Sequence, residues 1–267
     1  MRTPPAVAAL IAALLAILTP ALAQPASTWT APFSSAKGDA YTCHRATQAI
    51  VLDGQLSDAA WQHAQLIDGF VVPPAMDWET FAMSPRRPAA SASHVRLLWD
   101  DRYLYLGAEL EDQDIYCVTP MGHDASFNVD DIIELFVKPS DALPYYWELH
   151  VVPSGGTRDY FYARRGAGGD HRWMRYESGM QARVKVFGTR NDWEKRDSKW
   201  VVEMRVPWAA FKQTGGRPRT GDLWRFMVSR YDYSVYLEDG CELSAAAPLP
   251  WQNYHLYEHH PYLKFAE

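Results

Sequence analysis

Short segments in which apolar and polar residues alternate are the feature that most constrains the fold of this chain. Val202, Met204 and Val206 alternate with charged residues, and the same pattern recurs at 182–186 and 224–229. A period of two places every second side chain on one face of an extended chain, so each segment predicts a half-buried β-strand. The sequence shows no long amphipathic helical pattern beyond its apolar N-terminal segment, which favours an all-β fold.

Further strand and turn signals extend this prediction along the chain. Segments 95–99 and 103–108 flank three turn-forming residues in the pattern of a β-hairpin, and 132–137 is apolar enough for a strand buried on both faces. About ten strands with regularly spaced turn signals predict an antiparallel two-sheet β-sandwich with one or two short helical turns. We expect one such turn at 57–61, capped by Ser57.

The N-terminal segment has the features of an export signal. Arg2 precedes an apolar run at 6–18, and Ala21-Leu22-Ala23 supplies the small residues of a cleavage site. We expect residues 1–23 to be a signal peptide, 24–39 a flexible arm and 40–267 the folded domain. The mature protein is therefore predicted to be secreted or periplasmic, without a membrane span after cleavage.

An exported chain with three cysteines predicts one disulfide and one free thiol. Cys43, Cys117 and Cys241 allow three pairings, and their positions do not choose among them. The spacing fits no zinc motif.

The composition argues against a nucleic-acid partner and provides many aromatic side chains. The chain carries 26 Lys and Arg against 32 Asp and Glu, a formal net charge of -6, which argues against a nucleic-acid partner. Its 11 Trp, 15 Tyr and 10 Phe suit a β-rich core, a stacking surface, or both. We expect the protein to be a monomer.

No segment carries a recognisable catalytic or nucleotide-binding motif. Acidic pairs at 100–101, 112–114 and 130–131 are candidate oxygen ligands for a structural calcium ion, although no segment matches an EF-hand loop. Solvated turn acids are the alternative interpretation. A transition-metal site at His255, His259 and His260 is a further, less supported hypothesis.

Eight segments, in order along the chain, resemble the motifs of family 9 carbohydrate-binding modules. The first half resembles that family in its "D-G-x-L" opening, its "L-W-D-D-x-Y-L-Y" hairpin and its "E-L-F" strand, and the second half resembles a secreted bacterial branch. The matching segments are 50–61, 98–106, 131–136, 188–191, 200–208, 221–225, 229–230 and 253–258. This resemblance implies a two-sheet β-sandwich related to DOMON domains.

The resemblance also implies a carbohydrate site in which two aromatic side chains clamp a sugar and polar groups contact its hydroxyls. It puts the first aromatic at Phe127 or Asn128, and the second at Tyr254 with Trp251 nearby. Other polar contacts fall near His150. The candidate carbohydrate-binding residues are Phe127, Glu134, Ser229, Arg230, Trp251, Tyr254 and His255. The implied function is non-catalytic binding of a plant-type polysaccharide of the xylan or cellulose class, or its oligosaccharides, in support of extracellular glycan breakdown.

Several alternatives stay open at this point. Glu134 has a purely structural interpretation, in which Arg230 neutralises it, because a charge inside an apolar strand must be paired. DOMON relatives that bind haem through Met and His suggest an electron-transfer domain, for which Met121 and His123 are the hints. A glycosidase acting on O-glycosyl bonds needs two carboxylates flanking a cleft, and no spacing singles out such a pair.

Overall fold

The computed structural model describes residues 31–122, 129–165, 167 and 176–267, and in them strands dominate. The strands are β1 (Tyr41–Arg45), β2 (Leu66–Ile67), β3 (Val71–Val72), β4 (Arg87–Pro88), β5 (Ser93–Trp99), β6 (Tyr103–Glu111), β7 (Ile132–Lys138), β8 (Tyr146–Val151), β9 (Thr157–Tyr162), β10 (Gln181–Phe187), β11 (Lys199–Pro207), β12 (Leu223–Tyr233), β13 (Cys241–Ala245) and β14 (Tyr262–Ala266). Four short 3-10 helices lie at Lys37–Asp39, Ala59–His63, Trp208–Thr214 and Tyr257–His259.

Strand β12 joins two sheets. Its start pairs with β14, which continues the first sheet in the order β10-β11-β6-β5-β1-β14. Its later part lies between β7 and β13, in a second sheet with the order β9-β8-β7-β12-β13-β3-β4. The short strand β2 pairs with the first sheet through β5. The predicted all-β sandwich is confirmed.

Two details of the sandwich differ from the prediction. The strand number exceeds ten because β2, β3 and β4 have only two residues each, too few to show an alternation. Strand β1 pairs in parallel with both β5 and β14, so the first sheet is mixed rather than purely antiparallel. A period of two is the same in parallel and antiparallel strands, so the sequence pattern does not separate them.

The main core lies between the sheets. Inward side chains of the second sheet, such as Leu135, Leu149 and Phe226, share one cluster with Leu106 and Val202 of the first sheet. Alternate residues of the second sheet face outward into a second apolar cluster. The prediction that 132–137 is buried on both faces is confirmed, since every residue of β7 is buried.

The "D-G" turn of the opening motif is held by a buried carboxylate. Glu203 of β11 accepts hydrogen bonds from the backbone N–H groups of Asp53 and Gly54, at 2.8 and 2.7 Å, and from Trp61 Nε1 at 3.0 Å. Gly54 has φ +77°, and a Cβ there would lie 3.0 Å from the backbone of β10, so the position requires glycine.

The helical turn after this motif starts one residue later than predicted. The 3-10 helix Ala59–His63 follows Asp58, and no side chain caps its first N–H groups, so the prediction of Ser57 as the cap is wrong. Asp58 instead accepts a hydrogen bond from Val51 N at 2.8 Å, which closes the turn in front of the helix.

All three cysteines are free, so the prediction of one disulfide is wrong. Cys43 lies in the core between the sheets, whereas Cys117 lies in the cluster on the outer face of the second sheet. Cys241 is half-buried at the start of β13.

The predicted signal peptide (1–23) lies outside the described residues, as does the first part of the predicted arm. Among the residues that are described, no helix has the length and apolar character needed to cross a membrane.

Candidate functional site

The outer face of the second sheet carries a pocket of about 370 Å³. Alternation along β7 and β8 sends Leu135 and Leu149 into the core and sends Glu134 and Glu148 to the pocket floor. The segment 251–255, which follows β13 in the chain, forms one wall of the pocket.

A carboxylate–imidazole cluster forms the floor. His150 is directly opposite Glu134 in the β7–β8 pairing, and its Nε2 lies 3.2 Å from Glu134 Oε1 and 2.7 Å from Glu148 Oε1. Ser229, opposite Glu134 on the β12 side, donates from its hydroxyl to Glu134 Oε2 at 2.5 Å. These four side chains are buried, so their mutual hydrogen bonds replace contacts with water.

Burial and proximity perturb the pKa values of the cluster in opposite directions. Burial raises the pKa of Glu134 to about 7, although the nearby His150 opposes the shift. Burial would lower the pKa of His150, but Glu134 and Glu148 outweigh burial and raise it. Burial also opposes ionisation of Glu148, yet its hydrogen bond from His150 holds its pKa below the usual value. The arrangement is an ionised Glu148 beside an imidazolium, with Glu134 able to take up a proton near neutral pH.

Aromatic rings stand around this floor. Trp251 lines the pocket with 47% of its surface exposed, which leaves a ring face open to a ligand. Tyr254 lines the pocket but is only 6% exposed, and its hydroxyl donates to the Ser244 carbonyl at 3.3 Å. His255 lies beside them, with Nδ1 3.0 Å from the Tyr146 hydroxyl.

The structure brings together five of the seven residues predicted from the sequence: Glu134, Ser229, Trp251, Tyr254 and His255. Phe127 lies outside the described residues. Glu148 and Tyr162 of the pocket were not predicted. The signal for Glu148 is its position two residues before His150, on the same face of a strand whose other residues are apolar.

Arg230 lies on the opposite face of β12 from Ser229. It is buried, with Nη2 3.1 Å from both Asp112 Oδ2 and Asp232 Oδ2. The prediction that Arg230 pairs with Glu134 is therefore wrong, and Arg230 does not line the pocket. The physical reason is the alternation of the strand, because adjacent residues point to opposite faces.

Among the described residues, two clusters each bring three possible metal-ligand atoms within 4.8 Å of one another: Glu134, Glu148 and His150, and Asp112, Asp131 and Asp232. In the first, His150 Nε2 already contacts both carboxylates. In the second, Arg230 supplies a cation to two of the three aspartates. A metal ion would therefore fit the first cluster only if His150 moved away, and the second only if Arg230 did.

The remaining acidic pairs have local partners. Asp100, Asp130 and Asp131 each accept hydrogen bonds from backbone N–H groups. Asp101 forms an ion pair with Arg45 at 2.6 Å. The pair at 100–101 therefore fits the interpretation as turn acids. The pairs at 112–114 and 130–131 are buried, so the interpretation as solvated acids is wrong for them.

Comparisons with known proteins agree on one fold. A family model described as carbohydrate family 9 binding domain-like matches residues 52–257. No curated protein matches the chain. A structure from Bacteroides uniformis, described as a candidate carbohydrate-binding protein, is 12% identical and superposes with a TM-score of 0.57 over 84% of this chain and 97% of that one.

Two further structures come from one organism. A family 9 carbohydrate-binding module from Caldicellulosiruptor kristjanssonii is 14% identical in complexes with cellotriose and with glucose. The TM-scores are 0.51 and 0.50, over 84% of this chain and 93% and 95% of those chains. At these identities the likeness concerns the fold.

Proposed function

The chain belongs to the carbohydrate family 9 binding domain-like family, and from this premise we propose that it binds neutral polysaccharide or oligosaccharide of the xylan or cellulose class, without catalysis, in the pocket on the second sheet. The observation that carries the proposal is the combination of an exposed tryptophan ring at the lip, Trp251, with the buried polar floor around Glu134. A structural relative crystallised with cellotriose and glucose supports this choice of ligand class.

The pocket suits a sugar because its surfaces differ in chemistry. The C–H groups on one face of a pyranose ring pack against the open ring of Trp251. Its hydroxyls donate to carboxylate oxygens on the floor, where Glu134 and Glu148 lie beside the Tyr162 ring. The contacts between His150 and the two carboxylates fix the acceptors in place before the ligand arrives.

The two carboxylates support binding rather than hydrolysis. Glycosidases position an acid and a nucleophile or base on either side of the bond they cleave, about 5–9.5 Å apart. Glu134 and Glu148 instead lie side by side on adjacent strands, on one face of the sheet, and both contact the imidazole of His150. Both therefore serve as acceptors on one side of the bound sugar.

We assign the protein to the periplasm or the extracellular space, where it would support glycan breakdown. The support is the sequence pattern of residues 1–23, with Arg2 ahead of an apolar run and Ala23 before the cleavage point. N-terminal sequencing of the exported protein should begin at Gln24, and an intact Met1 would refute the assignment.

Calorimetric titration with cello- and xylo-oligosaccharides tests the binding proposal. We expect the mature protein to bind one of the two series, and the variant Trp251→Ala to lose binding while it stays folded by circular dichroism. Trp193→Ala is the matched control, because Trp193 is 58% exposed and does not line the pocket. No heat with either series would refute the proposal. A Soret band in the purified protein would assign haem binding instead.

A further inference from the structure

A hairpin between β3 and β4 presents large apolar side chains to solvent. At its tip Trp78 and Phe81 are 77% and 74% exposed, and Met76 and Met83 flank them, partly exposed. Isolated exposed apolar residues need no explanation, but four within eight positions form a patch of the kind that marks a binding surface.

The hairpin holds this patch in a defined shape. Met76 and Met83 form an antiparallel bridge, and Asp77 N donates to the Ala82 carbonyl at 2.9 Å. The Asp77 carboxylate also accepts hydrogen bonds from two backbone N–H groups of the tip. Phe81 has φ +55°, a conformation that a bulky residue rarely adopts. The backbone thus fixes two exposed aromatic residues a few positions apart.

The base of the hairpin is attached to the wall of the pocket. Gln252 N donates to the Pro74 carbonyl at 2.7 Å, directly beside Trp251 in the chain. Arg86 Nη2 donates to the Leu249 carbonyl at 2.6 Å on the returning side. The hairpin is therefore anchored at its base beside the pocket lip.

Chain geometry limits how far the tip can lie from the lip. Trp78 is four residues from Pro74, so their Cα atoms are separated by at most about 14 Å. An oligosaccharide of a few units that is bound in the pocket is long enough to reach from the lip to Trp78.

We propose that Trp78 and Phe81 form a second subsite, which stacks on further units of the neutral polysaccharide whose end occupies the pocket. The inference rests on the proposed function and adds to it a dependence on ligand length. Neutral glycan is the class that the charges favour, since Asp77 and Glu79 lie exposed at the tip and would repel a uronate or sulfated chain.

The size of the patch argues against a protein partner. A stable protein interface uses about 20–30 residues on each side, whereas the hairpin offers one exposed turn. Two exposed aromatic side chains three positions apart suit the repeated apolar faces of a sugar chain.

Titrations with glucose, cellotriose and cellohexaose test this inference. For the wild type we expect cellohexaose to bind about tenfold more tightly than cellotriose. Trp78→Ala should abolish that gain and leave the affinity for glucose and cellotriose unchanged, and Phe81→Ala should reduce it. Trp193→Ala, an exposed tryptophan outside the pocket, should keep the full gain.

Each outcome bears on the inference. If the wild type binds cellotriose and cellohexaose with equal affinity, the second subsite is refuted and the proposed function stands. The same holds if Trp78→Ala keeps the full gain in affinity for cellohexaose over cellotriose. Failure of the wild type to bind any of the three sugars and xylohexaose would refute both. Sedimentation as a dimer that Trp78→Ala converts to a monomer would assign the patch to self-association and overturn the inference.

Discussion

Replacing His150 by glutamine perturbs the charges of the pocket floor while keeping a hydrogen-bond donor there. In the native protein His150 Nε2 contacts both Glu134 and Glu148, and all three are buried. The substitution removes the only side chain of this cluster that can carry a positive charge. Glu148 then stays ionised in a buried site without its imidazolium partner, while Glu134, whose pKa is raised to about 7, is largely protonated near pH 6.

The expected loss of stability depends on pH in a defined window. The folded-state pKa of Glu148 is lowered, so its contribution is present above its unfolded value of 4.5 and is lost as pH falls further. The folded-state pKa of His150 is raised, so its contribution is present below its unfolded value of 6.5 and is lost as pH rises through the folded value. The pair is therefore fully stabilising between these two values.

The magnitude follows from the loss of one partner of a buried pair. Near pH 6 we expect His150→Gln to cost about 3 kcal/mol, the lower end of the range for such pairs, because the amide keeps one donor. As pH rises through the raised pKa of His150, the imidazole of the wild type loses its charge, and the cost falls towards about 1 kcal/mol, that of a neutral hydrogen bond. At about 2–4 °C per kcal/mol, Tm near pH 6 drops by about 6–12 °C.

Urea unfolding of both proteins near pH 6 and pH 9, followed by tryptophan fluorescence, measures these differences. His63→Gln is the control, since His63 is exposed on the 3-10 helix Ala59–His63 and its loss should change stability by less than about 0.5 kcal/mol. A deficit that is equal at the two pH values would refute the assignment of His150 as the cation of the cluster.

Three other predictions concern the rest of the fold. Arg230→Met should lower the free energy of unfolding in urea by about 3–5 kcal/mol, because it leaves buried aspartates without a cation. Arg217→Met, at an exposed ion pair, should lower it by less than about 1 kcal/mol, and equal losses would contradict the ion-pair argument. Glu203→Ala should destabilise by about 3 kcal/mol, since three donors, two of them buried, lose their acceptor, and a loss below about 1 kcal/mol would count against this anchor of the turn. Thiol titration in denaturant without reductant should find three free thiols per chain, and a count of one would restore the disulfide.

The alternation of residues predicts the strands well but not their connections. The patterns at 182–186, 202–206 and 224–229 fall within β10, β11 and β12. Nothing in the pattern indicates that β12 changes partner from β14 to β13 along its length, because a strand keeps its period of two whichever strand lies beside it.

In the candidate site too, the sequence identifies a residue that needs a partner but does not identify the partner. A charge within the apolar run of β7 marks Glu134 as a residue that needs a partner. Ser229 and Arg230 are neighbours in the sequence, and charge alone favours Arg230 as the partner of Glu134. The structure pairs Glu134 with Ser229 instead, because the register of β7 and β12 sets Glu134 opposite Ser229 and sends Arg230 to the other face.

Covering the outer face of the second sheet is what builds the pocket wall. The inner face packs against the first sheet, and the outer face carries Phe136 and Tyr146, which need an apolar cover of their own. Leu249 and Tyr254, from the segment after β13, supply it. Trp251 lies between these two anchors, so the packing that buries them also fixes the exposed indole at the pocket lip. The wall of the pocket and the second apolar cluster therefore depend on the same contacts, and Leu249→Ala should weaken sugar binding without touching the ligand.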